Sequence, residues 1–421
     1  MRPDAGAARG RRCRFCAAPL DRSVADLGLC PGANHYVRPE NRDAPVTFYP
    51  LHAFVCDACG LVQLEAFHSP EQLFSDYAYF SSFSETWLAH AEAYAGAVTA
   101  RLGLGPASRV VEIASNDGYL LRCFVARGIP VTGVEPAANV ARAAIEKGVP
   151  TRVAFFGRAE AQRMAAEGLS ADLVAANNVL AHVPDLNDFV AGLGLLLKPR
   201  GVVTVEVPHL LHLVAENQFD TIYHEHFSYF SLATLQRVFL RHGLAVFDVE
   251  ELATHGGSLR VYACRADALG GNGLAVAAAP ARVVAREAAA GLDRPETYDA
   301  FAARVRATKR RLLAFLIEAR EAGKSVVAYG AAAKGNTLFN YCGIRSDLID
   351  YSVDRSPHKQ GLLLPGVHIP IEAPDRIAET RPDFVLIVPW NLKEEIMRQM
   401  AHVRSWGGRF VVAVPRVEVL P

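Results

Sequence analysis

Short β-branched runs alternate along the chain with longer stretches whose apolar residues recur at helical spacing, which predicts a strand–helix–strand organisation. The clearest unit is Val110-Val111-Glu112-Ile113, then a small polar turn, Ala114-Ser115-Asn116-Asp117-Gly118, then an apolar helix start, Tyr119-Leu120-Leu121. This order is that of the first strand, loop and helix of a doubly wound α/β sheet, where ligands sit beyond the carboxyl ends of the strands. A second strand, Val131 to Val134, ends at Glu135-Pro136 about twenty residues on, where a carboxylate can accept hydrogen bonds from a ribose diol. Ala171 to Leu180 predicts a fourth strand carrying Asn177 and Asn178, with His182, Pro184 and Asp185 in the loop beyond it. The helix Leu186 to Leu197 is expected to stop at the turn Lys198-Pro199-Arg200-Gly201, and Gly201 to Val207 to form the fifth strand.

The pattern then starts afresh. Asp267 to Glu296 is rich in Ala and Gly and reads as a connection, and Tyr298 to Glu321 has helical spacing with a basic, solvated face (Arg304, Arg306, Lys309, Arg310, Arg311). Ser325 to Tyr329 predicts a strand, Gly330-Ala331-Ala332-Ala333-Lys334-Gly335 a turn, and Asn336 onward a helix. Later strands are expected at Leu348 to Val353, ending at Asp354, at Asp383 to Trp390, and at Arg409 to Val414.

Composition narrows the classes. Of 421 residues 51% are hydrophobic and 21% charged, which describes a folded chain long enough for two or three cores. Lys+Arg and Asp+Glu both number 44, so no general attraction for nucleic acid or anionic lipid is expected. Met1 to Phe15 is basic without an apolar centre and does not read as a signal peptide; no uninterrupted apolar stretch suits a membrane helix, and the cytoplasm is the expected address.

Cys13-Arg14-Phe15-Cys16 and Cys56-Asp57-Ala58-Cys59 are two Cys-x-x-Cys knuckles, which supply four thiolates for a closed, structural tetrahedral Zn²⁺ site. Cys30 has no nearby partner, and Cys123, Cys264 and Cys342 sit in apolar surroundings as packing residues. The aromatic, hydroxyl-rich stretch Asp76 to Ser84 fits either a lid over a cofactor or a packing linker. A helical pattern through Trp87, Leu88, His90, Ala91 and Tyr94 follows it.

The first loop lacks the glycines that let a backbone approach a pyrophosphate, whereas a ligand without phosphate makes no such demand. With Glu135 as the ribose acid, the combination resembles the S-adenosylmethionine-dependent methyltransferases. The densest chemistry follows the fifth strand, in Tyr223-His224-Glu225-His226-Phe227. Histidine is suited to proton transfer near neutral pH. If the stretch is extended, His224 and His226 share one face and Tyr223 and Glu225 the other. The Gly330–Gly335 turn matches neither the dinucleotide fingerprint nor a Walker A loop, though its small residues and Lys334 suit phosphate at a helix start.

Taken in register, the doubled Cys-x-x-Cys, Tyr77-Ala78-Tyr79-Phe80-Ser81-Ser82, Glu112 to Gly118, Tyr223 to Phe227, His255-Gly256-Gly257-Ser258-Leu259-Arg260 and the Gly330–Gly335 turn resemble the sugar C-methyltransferases that act on nucleotide-linked 4-keto-deoxysugars. The resemblance implies an α/β protein in three parts. These are a zinc-binding module (1–75), a Rossmann-like S-adenosylmethionine methyltransferase domain (76–265) and, after a connection (266–300), a Rossmann-like domain (301–421) that helps to hold the sugar nucleotide. It implies S-adenosylmethionine as cofactor and a thymidine-diphosphate keto sugar, methylated at C-3′, as partner. The roles it implies are His226 as base, supported by Glu225, with Tyr223 on the keto oxygen and His224 as competing base. Tyr77, Ser81, Glu112, Ala114, Asn116, Gly118, Tyr119, Glu135, Pro136, Asn177 and Asn178 are expected at the cofactor. Tyr79, Phe80, His182, His255, Ser258, Arg260, Gly330, Ala333, Lys334 and Asn336 are expected at the substrate. Sugar O- or N-methyl transfer, and a non-catalytic sugar-nucleotide-binding protein, remain open; oligomeric state is not legible.

Overall fold

A computed structural model describes residues 10–74, 81–83, 85–270 and 274–420. Tyr77, Tyr79, Phe80 and most of the expected lid lie outside the described residues. In the N-terminal module, β1 (Arg22–Cys30), β2 (Tyr49–Val55) and β3 (Val62–Leu64) pair antiparallel. One knuckle precedes β1 and the other forms the turn between β2 and β3.

The next strands are β4 (Val110–Ile113), β5 (Val131–Val134), β6 (Thr151–Arg152), β7 (Ala171–Asn177), β8 (Leu197–Pro208), β9 (Ser228–Tyr229), β10 (Leu244–Leu252) and β11 (Ser258–Arg265). Seven of them form one sheet in the order β10-β11-β8-β7-β4-β5-β6, parallel from β6 to β8, with β11 antiparallel to both neighbours. Every residue of β4 and β5 is buried because both faces of the sheet are covered. Val111, Ile113 and Val134 pack on one side with the helices Leu186–Leu196 and Leu232–Arg241; Val110 and Val131 pack on the other with the helix Glu85–Leu102. Strand order reverses between β4 and β7, so the loops after them diverge and open a crevice at their carboxyl ends.

β9 leaves this sheet. It pairs with β3, Val62 opposite Tyr229 and Gln63 opposite Ser228, and becomes the fourth strand of the N-terminal sheet. The last unit contains β12 (Val326–Tyr329), β13 (Ser352–Val353), β14 (Ile371–Glu372), β15 (Phe384–Ile387), β16 (Arg409–Val412) and β17 (Glu418–Leu420). Their order is β14-β13-β12-β15-β16-β17, parallel except for β17. The long helix Pro295–Glu321 packs its buried stripe, Phe301, Val305, Leu312 and Leu316, into one cluster with β1, β2 and one face of this sheet. The N-terminal sheet is thus wedged between the two α/β units.

Three expectations change. Lys198-Pro199-Arg200 does not form a turn: β8 begins at Leu197 and runs through it, with a register shift opposite Ala171/Leu173 that accommodates Pro199 on the strand. The stretch expected as a bare connection holds the helix Ala278–Ala289. It packs Val283 into the core, and its buried Glu287 accepts the backbone N–H groups of Leu232 and Ala233 at the start of the next helix. The C-terminal helix starts at Ala333, three residues earlier than expected.

Candidate active site

The loop after β4 is tightly wound. Ala114 and Asn116 take left-handed backbone angles (φ 57° and 49°), which costs of the order of 1–2 kcal/mol each in residues other than glycine. Gly118 is required twice over: its φ is 76°, and a Cβ there would lie 2.9 Å from Val149 Cγ2. Opposite this loop the Glu135 carboxylate accepts the N–H groups of Asn116 (3.0 Å) and Ala137 (2.9 Å), which holds it at the end of β5 beside Pro136. The Asn116 side chain in turn accepts the Ser81 N–H at 2.9 Å.

Four carboxylates crowd this end of the sheet. Asp117 is answered by Lys147 (2.7 Å), and Glu206 by Arg260 and His90 (2.7 and 2.9 Å). Glu112 is fully buried; burial, then the charges of Glu135, Asp117 and Glu206, push its carboxyl well above the usual range. Glu112 Oε2, Asp117 Oδ1, Asn177 Oδ1 and Asn178 Nδ2 are buried polar atoms without a partner among the described residues. This donor set fits S-adenosylmethionine: a cation beside the crowded carboxylates, a ribose for Glu135, and polar groups for the Asn177 and Asn178 side chains.

The Tyr-His-Glu-His stretch is a turn, not an extended strand, and this separates the two histidines. The His226 N–H closes on Tyr223 O at 2.9 Å. His226 Nδ1 lies 3.0 Å from Thr221 O; a carbonyl only accepts, so Nδ1 carries the proton and Nε2 the lone pair. Nε2 accepts the Tyr223 hydroxyl at 2.7 Å. Burial, then the neighbouring His182, holds the His226 imidazolium well below its ordinary range, so the ring is neutral at pH 7. The expected support by Glu225 is corrected: its carboxylate turns away and accepts Asn34 Nδ2 at 2.7 Å, and the Thr221 carbonyl orients the ring instead. Burial raises the Glu225 carboxyl to about 7. His224 faces the N-terminal module, where its Nε2 donates to Pro50 O (3.2 Å) among Tyr49, Phe67 and His68.

Around His226 side chains of the methyltransferase part and of the C-terminal unit come together. The His182 ring, whose pKa burial lowers to about 4, lies 4.7 Å from that of His226. Trp87 stacks on His90 (4.9 Å) and touches both Tyr119 on the cofactor side (6.2 Å) and His255 (5.2 Å). From the C-terminal unit, Lys334 lies over the Trp390 ring (4.7 Å) and donates to Asn391 Oδ1, while Trp390 Nε1 donates to Asp220 Oδ2 (2.8 Å). Burial lowers the Lys334 pKa, opposed by Asp220, and burial raises that of Asp220 to about 6.

Other expected substrate residues are engaged elsewhere. Arg260 is buried under Tyr94 and gives its donors to Glu206 and Glu250; Ser258 donates to Thr254 O and closes the turn that carries His255. Asn336 Nδ2 donates to Ala33 O, which ties the C-terminal helix to the N-terminal module. Gly330 is needed for its φ of 103° and for close approach to Pro389, and Ala333 opens the helix. Asp354 accepts the Ala331 N–H, and Tyr36 from the N-terminal module donates to Ala331 O.

The four knuckle sulfurs lie within 4.8 Å of one another, with Cys13–Cys59 at 3.6 Å and Cys16–Cys56 at 3.5 Å. Disulfides need about 2.0 Å, whereas the edge of a zinc–thiolate tetrahedron is about 3.8 Å, so the set fits Zn²⁺ with all four positions filled by protein. Gln63 on β3 donates to Cys13 Sγ (3.1 Å) and accepts the Arg14 N–H (2.9 Å), which couples the metal site to the strand that pairs with β9.

Residues 13–74 match the family described as "Putative zinc binding domain", 87–249 "Methyltransferase domain", and 253–415 "C-methyltransferase C-terminal domain". C-methyltransferase NovU of Streptomyces niveus is 37% identical over 411 residues, 97% of this chain and 96% of that one. The chain belongs to the C-methyltransferase family. Among solved structures, magnesium protoporphyrin IX methyltransferase of Synechocystis with bound S-adenosylmethionine is 15% identical over 43% of this chain and 82% of that one, with a TM-score of 0.32. The CcbJ methyltransferase of Streptomyces caelestis is 16% identical over 42% and 89%, with a TM-score of 0.33.

This C-methyltransferase uses S-adenosylmethionine as methyl donor and carries a structural zinc. Among the described residues, no helix is long and apolar enough to cross a membrane. Asn34, Tyr36, His90, Asp220 and Trp390 are site neighbours that sequence reasoning did not single out. Asp220 stands three residues before Tyr223, close enough to have been flagged; Asn34 and Tyr36 carry no local signal because only folding brings them to Glu225 and Ala331.

Proposed function

We propose that this C-methyltransferase methylates the carbon beside the ketone of a nucleotide-linked 4-keto-deoxysugar, at C-3′ of a thymidine-diphosphate sugar, in the cytoplasm. The observation that carries the reading is the neutral His226 ring, its tautomer set by Thr221 O, with Nε2 on the Tyr223 hydroxyl. S-adenosylmethionine supplies an electrophilic methyl when bound. Carbon beside a ketone becomes nucleophilic only as an enolate, so the protein must remove an α-proton and stabilise charge on oxygen.

His226 Nε2 takes the proton. Tyr223, released from Nε2 by the substrate, donates to the keto oxygen as charge develops there. The half-buried ammonium of Lys334 adds positive potential from the C-terminal unit. His224 is not the base in this scheme, because its ring lies in the N-terminal module among Tyr49, Phe67 and His68. Arg260 acts as a positioning residue through Glu206 and His90, and Glu225 as a tie to Asn34.

The test is to incubate the protein with labelled S-adenosylmethionine and a panel of nucleotide-linked keto sugars, and to locate the methyl by mass analysis. Methyl on carbon, with α-proton exchange into deuterated water that His226→Asn abolishes, is the expected result. Methyl on oxygen or nitrogen, or sugar-nucleotide binding without transfer to any panel member, overturns it.

A further inference from the structure

A second cluster of metal-ligating residues lies outside the site described above, on the far side of the turn that carries His255. His209, His212 and Glu251 each bring one ligand atom within 4.8 Å of the others. His209 follows β8 and precedes the short helix Leu210–Ala215, which carries His212; Glu251 stands near the end of β10.

Both imidazoles are already set as ligands. His209 is 1% exposed and its Nε2 lies 2.7 Å from Glu287 Oε1. Because Glu287 also accepts the Leu232 and Ala233 N–H groups, it is an ionised acceptor and His209 Nε2 must donate. The other ring nitrogen, Nδ1, is buried and has no partner among the described residues. His212 repeats the arrangement: Nδ1 donates to Glu216 Oε1 at 2.7 Å, which leaves the lone pair on Nε2. A carboxylate on the distal nitrogen fixes tautomer and ring orientation and raises ligand basicity, and metal-binding histidines are held in this way. Glu251 gives Oε1 to Arg286 (2.6 Å), which leaves Oε2.

Charge supports a cation here. Glu216, Glu251 and Glu287 carry three negative charges against the one positive charge of Arg286, and a divalent ion balances them. Glu251 is exposed and His212 half-buried, so both can close the remaining distance to bonds of about 2.0–2.2 Å, with solvent taking the open position.

We propose that His209 Nδ1, His212 Nε2 and Glu251 Oε2 bind a divalent transition-metal ion of the zinc class. The ion braces the active-site turn from behind: the His209 N–H donates to Gly257 O (3.0 Å), and the His212 ring lies where a Gly257 Cβ would fall 2.6 Å from it.

Metal content of the full chain, equilibrated with free zinc and desalted, tests this independently of activity. The expected content is two zinc ions per chain in the parent protein and one in His212→Asn and in Glu251→Gln, the latter a surface change. Glu216→Gln, which alters the support of His212 without removing a ligand, is expected to weaken the second ion about 10–100-fold. Cobalt added to protein whose cysteine site is filled with zinc should give d–d absorption without a sulfur-to-cobalt charge-transfer band, and both substitutions should remove it. One zinc per chain in the parent protein, or a cobalt spectrum unchanged in Glu251→Gln and His212→Asn, overturns the proposal.

Discussion

Tyr223→Phe removes a single oxygen and so isolates one contact, the hydroxyl 2.7 Å from His226 Nε2. Two accounts of that hydroxyl differ in magnitude. If it serves only to hold the His226 ring, its loss removes one neutral hydrogen bond, about 0.5–1.5 kcal/mol of stability, while Thr221 O still fixes the tautomer. Methyl transfer would then fall little. If it donates to the developing enolate, the loss is that of a preorganised oxyanion donor, about 10²–10³ in kcat, or roughly 2.7–4 kcal/mol. The assay has two arms: single-turnover methyl transfer from labelled S-adenosylmethionine, and α-proton exchange of the keto sugar in deuterated water without methyl donor. Tyr223→Phe should lower both by the same factor with KM nearly constant, since the interaction belongs to enolate formation. A variant that keeps kcat within about threefold of the parent, below the range for such a donor, refutes the assignment.

His226→Asn should abolish exchange and lower transfer by about 10²–10⁴, with folding intact by thermal melt. The rate should depend on neutral His226, so its acid limb should lie below the ordinary pH 6.5 of a histidine, in the direction that burial moves this ring; a limb above pH 7 would assign the base elsewhere. Glu135→Gln should raise the dissociation constant for S-adenosylmethionine about tenfold or more, measured by calorimetry, because the carboxylate loses its charged hydrogen bonds. Stability should also fall on the acid side. His224 is 3% exposed and burial lowers its pKa to about 4, so the unfolded chain binds the extra proton. Stability is therefore complete above pH 6.5 and lost as pH falls towards 4, by about 3 kcal/mol; His224→Gln should flatten that slope in urea melts.

Parts of this architecture can be read from local pattern and parts cannot. Val110 to Gly118 and Val131 to Glu135 announce themselves because a doubly buried parallel strand is rich in β-branched apolar residues and a tight turn must be small. The four knuckle cysteines announce themselves because tetrahedral thiolate chemistry fixes their spacing. The direction of His224 and Glu225 was not legible, since an alternating reading assumes an extended backbone and the chain turns at these two residues. Arg260 and Asn336 look like ligands in the sequence, but a buried polar side chain must find a partner, and here Glu206 and Ala33 O take that place. The Ala-rich stretch after Asp267 hid a helix because Ala has high helix propensity but no amphipathic contrast; its position depends on Glu287 capping a distant helix.

The zinc site makes no contact with His226, yet the catalytic turn depends on it through a traceable path. β9 has two residues, and a two-residue strand has no stability of its own. It is ordered because β3 offers a partner, and β3 is itself only three residues long. β3 is held on one side by β2 and at its centre by Gln63, whose amide bridges Cys13 Sγ and the Arg14 N–H of the first knuckle. Without metal, four thiols, three of them buried, must share one small volume, the knuckles separate, and the amide loses both partners. The β3–β9 pairing then opens two residues from His226, releasing the carbonyl-fixed ring to sample rotamers in which Nε2 no longer faces the cleft. Removing zinc should therefore lower kcat while the methyl donor still binds, a split that a zinc acting only on overall folding would not produce.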